Sequence, residues 1–155
     1  AILFHDRVYH GASGSACEIG YMNLPGGMFQ DLGAASVLLA KVAAGKGIPC
    51  DDIDGQWVFE RAKEGDKCCQ QAIEQMTDIL GMGIANICYV INPEIVVLGG
   101  GIMSQREYLM PGIEAGLDKY LIPTVRDRTK IAFARNGNQA GMLGAYYHFI
   151  AKQNK

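Results

Sequence analysis

A carboxylate on a glycine-rich loop is the first feature of this sequence that could do chemistry. Glu18 lies in the loop of residues 11–21, where Gly11, Gly14 and Gly20 alternate with small residues and predict irregular backbone. A carboxylate can accept two hydroxyl hydrogen bonds at once, which suits the vicinal diol of a sugar. A solvent-facing Glu in a surface turn has the same pattern, so the loop alone leaves both interpretations open.

A second candidate site is the run Gly99-Gly100-Gly101. It follows an apolar segment typical of a strand and precedes a helix signal, so a ligand could lie against peptide N–H groups and a helix N-terminus that favour phosphate. The segment is neither a P-loop nor a G-x-G-x-x-G fingerprint, which disfavours NAD binding of the Rossmann type. A tight strand-to-helix connection without a ligand remains the alternative.

The other reactive side chains indicate no separate centre. His5, His10 and His148 have no nucleophile at a recognisable spacing, which disfavours a triad hydrolase. Aspartates in cap or loop contexts are interpreted as helix caps rather than catalytic bases: Asp31, Asp51, Asp52 and Asp54.

The five cysteines are scattered and odd in number, which favours a reducing compartment and a cytoplasmic protein. Cys68 and Cys69, adjacent on a predicted helix, would project about 100° apart, so we interpret them as packing residues and predict no metal site.

Helices alternate with apolar strands in the segments around these sites. We predict a hairpin over residues 1–11 and strands over residues 94–98 and 130–135. We also predict helices that begin at polar capping residues. Glu107 completes a capping box, and Pro111 marks a kink or break. The strand 94–98 is expected to be covered on both faces, and the long helix to be buried after Ile84. In the last helix Met142, Leu143, Tyr146 and Phe149 are expected to face inward. The predicted caps are Asp31, Asp54, Asp66, Ser104 and Asn138.

Composition limits the class of protein. The 155 residues are 49% hydrophobic and 19% charged with a net charge of -2, which fits one globular α/β domain and disfavours polyanion binding. The longest apolar stretch, residues 79–91, is shorter than the ~20 residues of a membrane helix. The sequence opens on Ala-Ile-Leu-Phe without an initiator Met or a signal peptide, so we expect a fragment of a longer protein.

Three motifs, in order along the chain, resemble those of the ROK family of bacterial sugar kinases and sugar-responsive repressors. They are Gly11-x-x-Gly14 through Glu18-x-Gly20-Tyr21, Asn92-Pro93 running into Gly99-Gly100-Gly101, and Asn138 through Gly141 and Gly144. The resemblance implies an RNase H-like C-terminal lobe of the actin/hexokinase-like ATPase fold, with residues 1–155 as that single lobe and the N-terminal lobe missing. It also implies phosphoryl transfer from Mg-ATP to a sugar hydroxyl.

The resemblance also assigns residues. Glu18 matches the family's sugar-binding Glu, Tyr21 stands where many members have a His, and Gln30 resembles the position of another sugar-contacting Glu. Gly99, Gly100 and Gly101 match the nucleotide-side glycines. No catalytic residue is expected in this chain, because the family's catalytic Asp and phosphate loop belong upstream of Ala1.

Two departures from the family pattern qualify this assignment. Cys17 stands where the family usually has Gly. Residues 22–29 contain no Cys or His, so the four ligands of a zinc loop cannot be assembled there. The sequence therefore resembles the zinc-free branch that includes β-glucoside kinases, with ATP and Mg²⁺ but no zinc as cofactors.

The leading hypothesis is a sugar kinase lobe that is inactive alone. The alternative is the sugar-sensing lobe of a ROK-type repressor, which would bind nucleic acid through upstream helices. Apolar stripes such as residues 79–91 could also pack against a second subunit, so a homodimer is expected.

Overall fold

The computed structural model describes residues 1–153, apart from the side chains of Asn138 and Ala151. The predicted cap at Asn138 therefore lies outside the described side chains. Six short strands are present: β1 (Ile2–Phe4), β2 (Arg7–Tyr9), β3 (Asn23–Leu24), β4 (Gly27–Met28), β5 (Ile95–Leu98) and β6 (Lys130–Phe133). The α-helices are α1 (Phe29–Gly33), α2 (Ala35–Lys46), α3 (Gly55–Lys63), α4 (Lys67–Ile91), α5 (Arg106–Tyr120), α6 (Pro123–Arg126) and α7 (Ala140–Gln153).

The predicted N-terminal hairpin is confirmed. Strands β1 and β2 pair antiparallel, with Ile2 opposite Tyr9. The two turn residues, His5 and Asp6, have φ angles of 48° and 59°, as a type I′ turn requires.

The core forms around α4, which packs against α2, α3 and α5. Small residues let α4 and α5 approach closely, because a Cβ at Gly81 would lie 2.7 Å from Cα of Gly116. The largest fully buried side chains surround this crossing: Leu38, Phe59, Leu109, Ile113 and Leu117.

A parallel strand pair presents the second glycine run. Strands β5 and β6 align with Ile95 opposite Lys130 and Leu98 opposite Phe133. Helices α5 and α6 connect them, as a parallel pair requires. The residues after both strands therefore meet at one edge of the sheet.

Local signals located two helix starts correctly. Asp54 accepts a hydrogen bond from the Trp57 amide at 2.8 Å and caps α3. Asp66 accepts one from the Cys69 amide at 3.1 Å and caps α4. Both predicted caps are confirmed.

Other predicted boundaries were wrong. Asp31 lies inside α1, and α2 begins after Ala34 without a side-chain cap, so one predicted helix is two. Ser104 belongs to a 3-10 turn, Gly101–Gln105, and forms no capping box with Glu107. Helix α5 continues past Pro111 as one element, so the predicted proline position does not break the helix. Residues 23–28, for which no strands were predicted, form the small hairpin β3–β4.

Three apolar faces expected to be buried are exposed. On β5, Val97 is 57% exposed, so the strand is covered on one face only. The end of α4 is open, with Val90 81% exposed. On α7 the residues expected to face inward, Met142, Leu143, Tyr146 and Phe149, are exposed as well. Periodicity identifies an apolar face but does not say which element covers it, and no element among residues 1–153 covers these three.

Within the described residues, no helix is both long enough and apolar enough to span a membrane.

Candidate functional site

Tyr21 and Gln30, two of the three residues predicted to contact a sugar, lie on elements that pack together, and Glu18 directly precedes the first of these elements. Glu18 precedes a 3-10 turn, Ile19–Tyr21, in which the Tyr21 amide donates to the Glu18 carbonyl at 3.2 Å. This turn packs on α1, which carries Gln30. The contact is close, because a Cβ at Gly20 would lie 2.9 Å from Oε1 of Gln30.

The glycine-rich loop before Glu18 contains three residues with left-handed backbone. Gly11, Gly14 and Cys17 have φ angles of 68°, 81° and 70°. The loop closes where the Ala16 amide donates to the His10 carbonyl at 3.1 Å. Cys17 is thus a side-chain-bearing residue in a conformation that favours glycine, directly before the candidate ligand Glu18.

Helix α1 is anchored on α4 by two close contacts that sequence reasoning missed. The ring of Phe29 fills the space that a Cβ at Gly83 would need, and a Cβ at Gly33 would lie 3.0 Å from Cγ2 of Ile79. The Phe29 amide also donates to the Met22 carbonyl at 2.8 Å, which joins α1 to the 3-10 turn. The signal was a glycine inside a strongly apolar helix, a residue that usually has a packing reason there.

The exposed residues Glu18, Tyr21 and Gln30 carry hydrogen-bonding groups of different kinds. All three are exposed, and Tyr21 is 62% exposed. A carboxylate accepts hydrogen bonds, a phenol donates and accepts, and an amide does both with separate atoms. Each of these residue types is therefore able to pair with a hydroxyl group of a ligand.

The second glycine run lines a cavity of about 750 Å³ at the edge of the β5–β6 sheet. The Ala134 amide donates to the Leu98 carbonyl at 2.8 Å, so the ladder extends to the point where the glycines begin. Gly100 has a φ of 107°, a conformation that side-chain-bearing residues rarely adopt. Its carbonyl accepts from the Met103 amide at 3.1 Å and opens the turn Gly101–Gln105. Bare backbone thus faces the cavity.

The cavity is completed by residues that sequence reasoning did not select. Apolar and aromatic side chains line part of it: Met103, Tyr108 and Phe133. Polar and cationic residues come from α3, the 3-10 turn, α5 and the segment after β6: Lys63, Gln105, Arg106 and Arg135. No local pattern marks Lys63, because it reaches the cavity only through the packing of α3.

The described residues offer no metal cage. Among residues 1–153, no group of three or more His, Cys, Asp or Glu side chains could hold a metal ion. Buried Cys69 has its pKa raised to about 11 by burial and the nearby Asp66 carboxylate, which disfavours the thiolate that metals bind.

Comparison with known families identifies the relatives of the chain. A family model described as the ROK family matches residues 1–152. An uncharacterised protein of Clostridium perfringens is 49% identical over 155 residues, which are 100% of this chain and 52% of that protein. A β-glucoside kinase of Klebsiella pneumoniae is 30% identical over 161 residues, covering 96% of this chain and 51% of that protein. The chain spans about half the length of these curated relatives.

Solved structures share the fold. A ROK hexokinase from Thermus thermophilus matches with a TM-score of 0.78 and 26% identity, over 90% of this chain and 50% of that one. A ROK family transcriptional regulator described as a homologue of the E. coli MLC protein matches with a TM-score of 0.69 and 23% identity, over 83% of this chain and 37% of that one. These likenesses confirm the expected actin/hexokinase-like ATPase fold.

The family match over almost the whole chain agrees with the three motifs and with the fold, and the chain therefore belongs to the ROK family.

Proposed function

We propose that residues 1–155 form the C-terminal lobe of a cytoplasmic sugar kinase, which transfers phosphate from ATP to a sugar hydroxyl. The observation that carries this proposal is the pair of ligand-facing surfaces on one chain, a polyol-matching cluster and a glycine-lined cavity. The names of two relatives, a β-glucoside kinase and a ROK hexokinase, support it.

On the sugar side, Glu18 accepts hydrogen bonds from two neighbouring hydroxyls, and Tyr21 and Gln30 pair with others. The close packing of Gly20 against Gln30 supports a single sugar ring as the common ligand of this turn and α1. Fixing the sugar in this way supplies orientation, which is the largest contribution a positioning site makes to phosphoryl transfer.

On the donor side, Gly99, Gly100 and Gly101 allow a nucleotide to approach the backbone, and Met103, Tyr108 and Phe133 offer apolar surface to its base. ATP supplies the phosphoryl group. Glu107 is the only carboxylate lining the described cavity, which does not fit a dedicated Mg²⁺ cage, so we propose that Mg²⁺ enters with the nucleotide's phosphates. We assign the base that deprotonates the sugar hydroxyl to the N-terminal lobe of the proposed full-length protein.

The exposed apolar faces of β5, the end of α4 and α7 support two partners, the N-terminal lobe of the same protein and a second copy as a homodimer. Sedimentation of the 155-residue chain tests the second copy. Association at high concentration is expected, and a strictly monomeric chain would contradict the dimer.

Phosphoryl transfer tests the kinase proposal. Hexoses, amino sugars and β-glucosides are offered with Mg-ATP to the 155-residue chain and to the full-length protein. We expect transfer by the full-length protein alone. Sugar binding by the full-length protein without transfer to any sugar would instead favour a sugar-sensing repressor, the alternative that the regulator with the shared fold keeps open.

A further inference from the structure

The glycine-lined cavity has a cationic edge. Three cationic side chains line it from three elements: Lys63 at the end of α3, Arg106 at the start of α5, and Arg135 after β6. A single carboxylate, Glu107, lines the same cavity. The local charge is therefore positive, although the chain as a whole carries -2.

These cations are not committed to carboxylates of the protein. None of the ion pairs among residues 1–153 includes Lys63, Arg106 or Arg135. Other cations of similar exposure are paired, such as Lys119 with Asp78 at 2.9 Å. The three cations at the cavity can thus interact with an anionic ligand without breaking an ion pair.

Lys63 is held at the cavity by a hydrogen bond. Its ammonium donates to Oε1 of Gln105 at 2.9 Å, which links α3 to the turn that follows the glycines. An ammonium has three donors, so two remain for a ligand. This bond restrains a long side chain that would otherwise lose more rotamer freedom on binding.

We propose that Lys63, Arg106 and Arg135 bind the phosphate groups of a nucleoside diphosphate or triphosphate, with Lys63 as a determinant of nucleotide affinity. The identity of the ligand as a nucleotide rests on the proposed function. Hydrogen bonds between a cation and a phosphate are among the stronger polar contacts. Because these three side chains are exposed to solvent, each contact is expected to contribute less than it would in a buried site. Loss of the Lys63 charge is therefore expected to weaken binding about tenfold.

Calorimetric titration of the 155-residue chain with ADP, AMP and adenosine tests this. ADP should bind most tightly and adenosine most weakly. Added salt should weaken the binding of ADP and leave the binding of adenosine nearly unchanged. Lys63→Gln should lose about tenfold in ADP affinity and less than about twofold in adenosine affinity. Lys41→Gln is the matched control, because Lys41 also donates to a glutamine, Gln75, at 3.3 Å but does not line the cavity.

Three results would each overturn the proposed phosphate-binding role of the cationic edge. They are equal affinity for ADP and adenosine, no binding of ADP, and equal losses of ADP affinity in Lys63→Gln and Lys41→Gln. The proposed kinase is judged separately by sugar phosphorylation in the full-length protein. Transfer with an ATP KM unaffected by Lys63→Gln would overturn the cationic edge and leave the kinase standing. Lys63-dependent ADP binding without transfer to any sugar would support the edge and contradict the kinase.

Discussion

At the scale of single residues, Glu18 and the residue before it show how local chemistry and backbone combine. Glu18 was selected from its loop composition, and the turn that follows it packs on α1 because Gly20 leaves room for Gln30. The cations Lys63, Arg106 and Arg135 were not found, since each is an ordinary surface residue until folding gathers it at the cavity. Residue types thus indicate a candidate site when its residues are close in sequence, but not when the site forms from elements that are distant in sequence.

Replacing Cys17 with glycine should stabilise the protein. A φ of 70° costs a side-chain-bearing residue about 1–2 kcal/mol, while glycine adds about 0.5–1 kcal/mol of unfolded-chain entropy. We expect Cys17→Gly to raise the free energy of unfolding by about 0.5–1 kcal/mol in urea denaturation. Cys17→Ala keeps the Cβ and should bring no gain; equal stability of the two variants would contradict the backbone explanation.

Asp66 should make folding sensitive to acid. Hydrogen bonds from Lys46 and from the Cys69 amide lower the pKa of Asp66 to about 2. The unfolded chain therefore takes up this proton first as the pH falls, and the stability that Asp66 provides is lost between about pH 4 and pH 2. Asp66→Asn should show a smaller decrease in thermal stability over this interval than the unchanged protein. Asp51→Asn, at an exposed carboxylate outside the described ion pairs, should behave like the unchanged protein, and the same slope for all three would refute the assignment.

At the scale of elements, helix starts that depend on local hydrogen bonds were predicted correctly, whereas a boundary that depends on long-range packing was not. The starts of α3 and α4 followed from Asp54 and Asp66, whose side chains bond amides three residues away. The break at Ala34 did not, because α1 turns to place Phe29 against Gly83, a contact between residues distant in sequence. The predicted burial of the β5 and α7 faces was wrong, because periodicity does not show which distant element covers an apolar face.

The crossing of α4 and α5 should tolerate no side chain at Gly81. A Cβ there would lie 2.7 Å from Cα of Gly116, which is backbone and cannot rotate away. We expect Gly81→Ala to lower the free energy of unfolding by about 1–3 kcal/mol. Gly141→Ala on α7 meets no atom within 4 Å and should be neutral or stabilising by up to about 1 kcal/mol, since alanine is the better helix former. A loss in both variants, or in neither, would contradict the close crossing.

At the scale of the whole molecule, the chain has the fold of its family, two candidate ligand surfaces and three exposed apolar faces. The family and the fold class were predicted correctly from three motifs, because glycines and a carboxylate at fixed spacing report directly on backbone geometry. The burial of the apolar faces was predicted wrongly, because apolar periodicity does not show which element covers a face. The central claim is that Glu18 binds the sugar that the full-length protein phosphorylates.

Steady-state kinetics of the full-length protein with Glu18→Gln tests this most directly. The amide keeps the shape of the carboxylate but removes its charge and one acceptor, so we predict that the KM for the sugar rises about 10–100-fold while the KM for ATP changes less than about twofold. Glu94→Gln, at an exposed carboxylate outside both surfaces, should leave both constants unchanged. An unchanged sugar KM in Glu18→Gln would remove Glu18 from the sugar site and contradict the central claim.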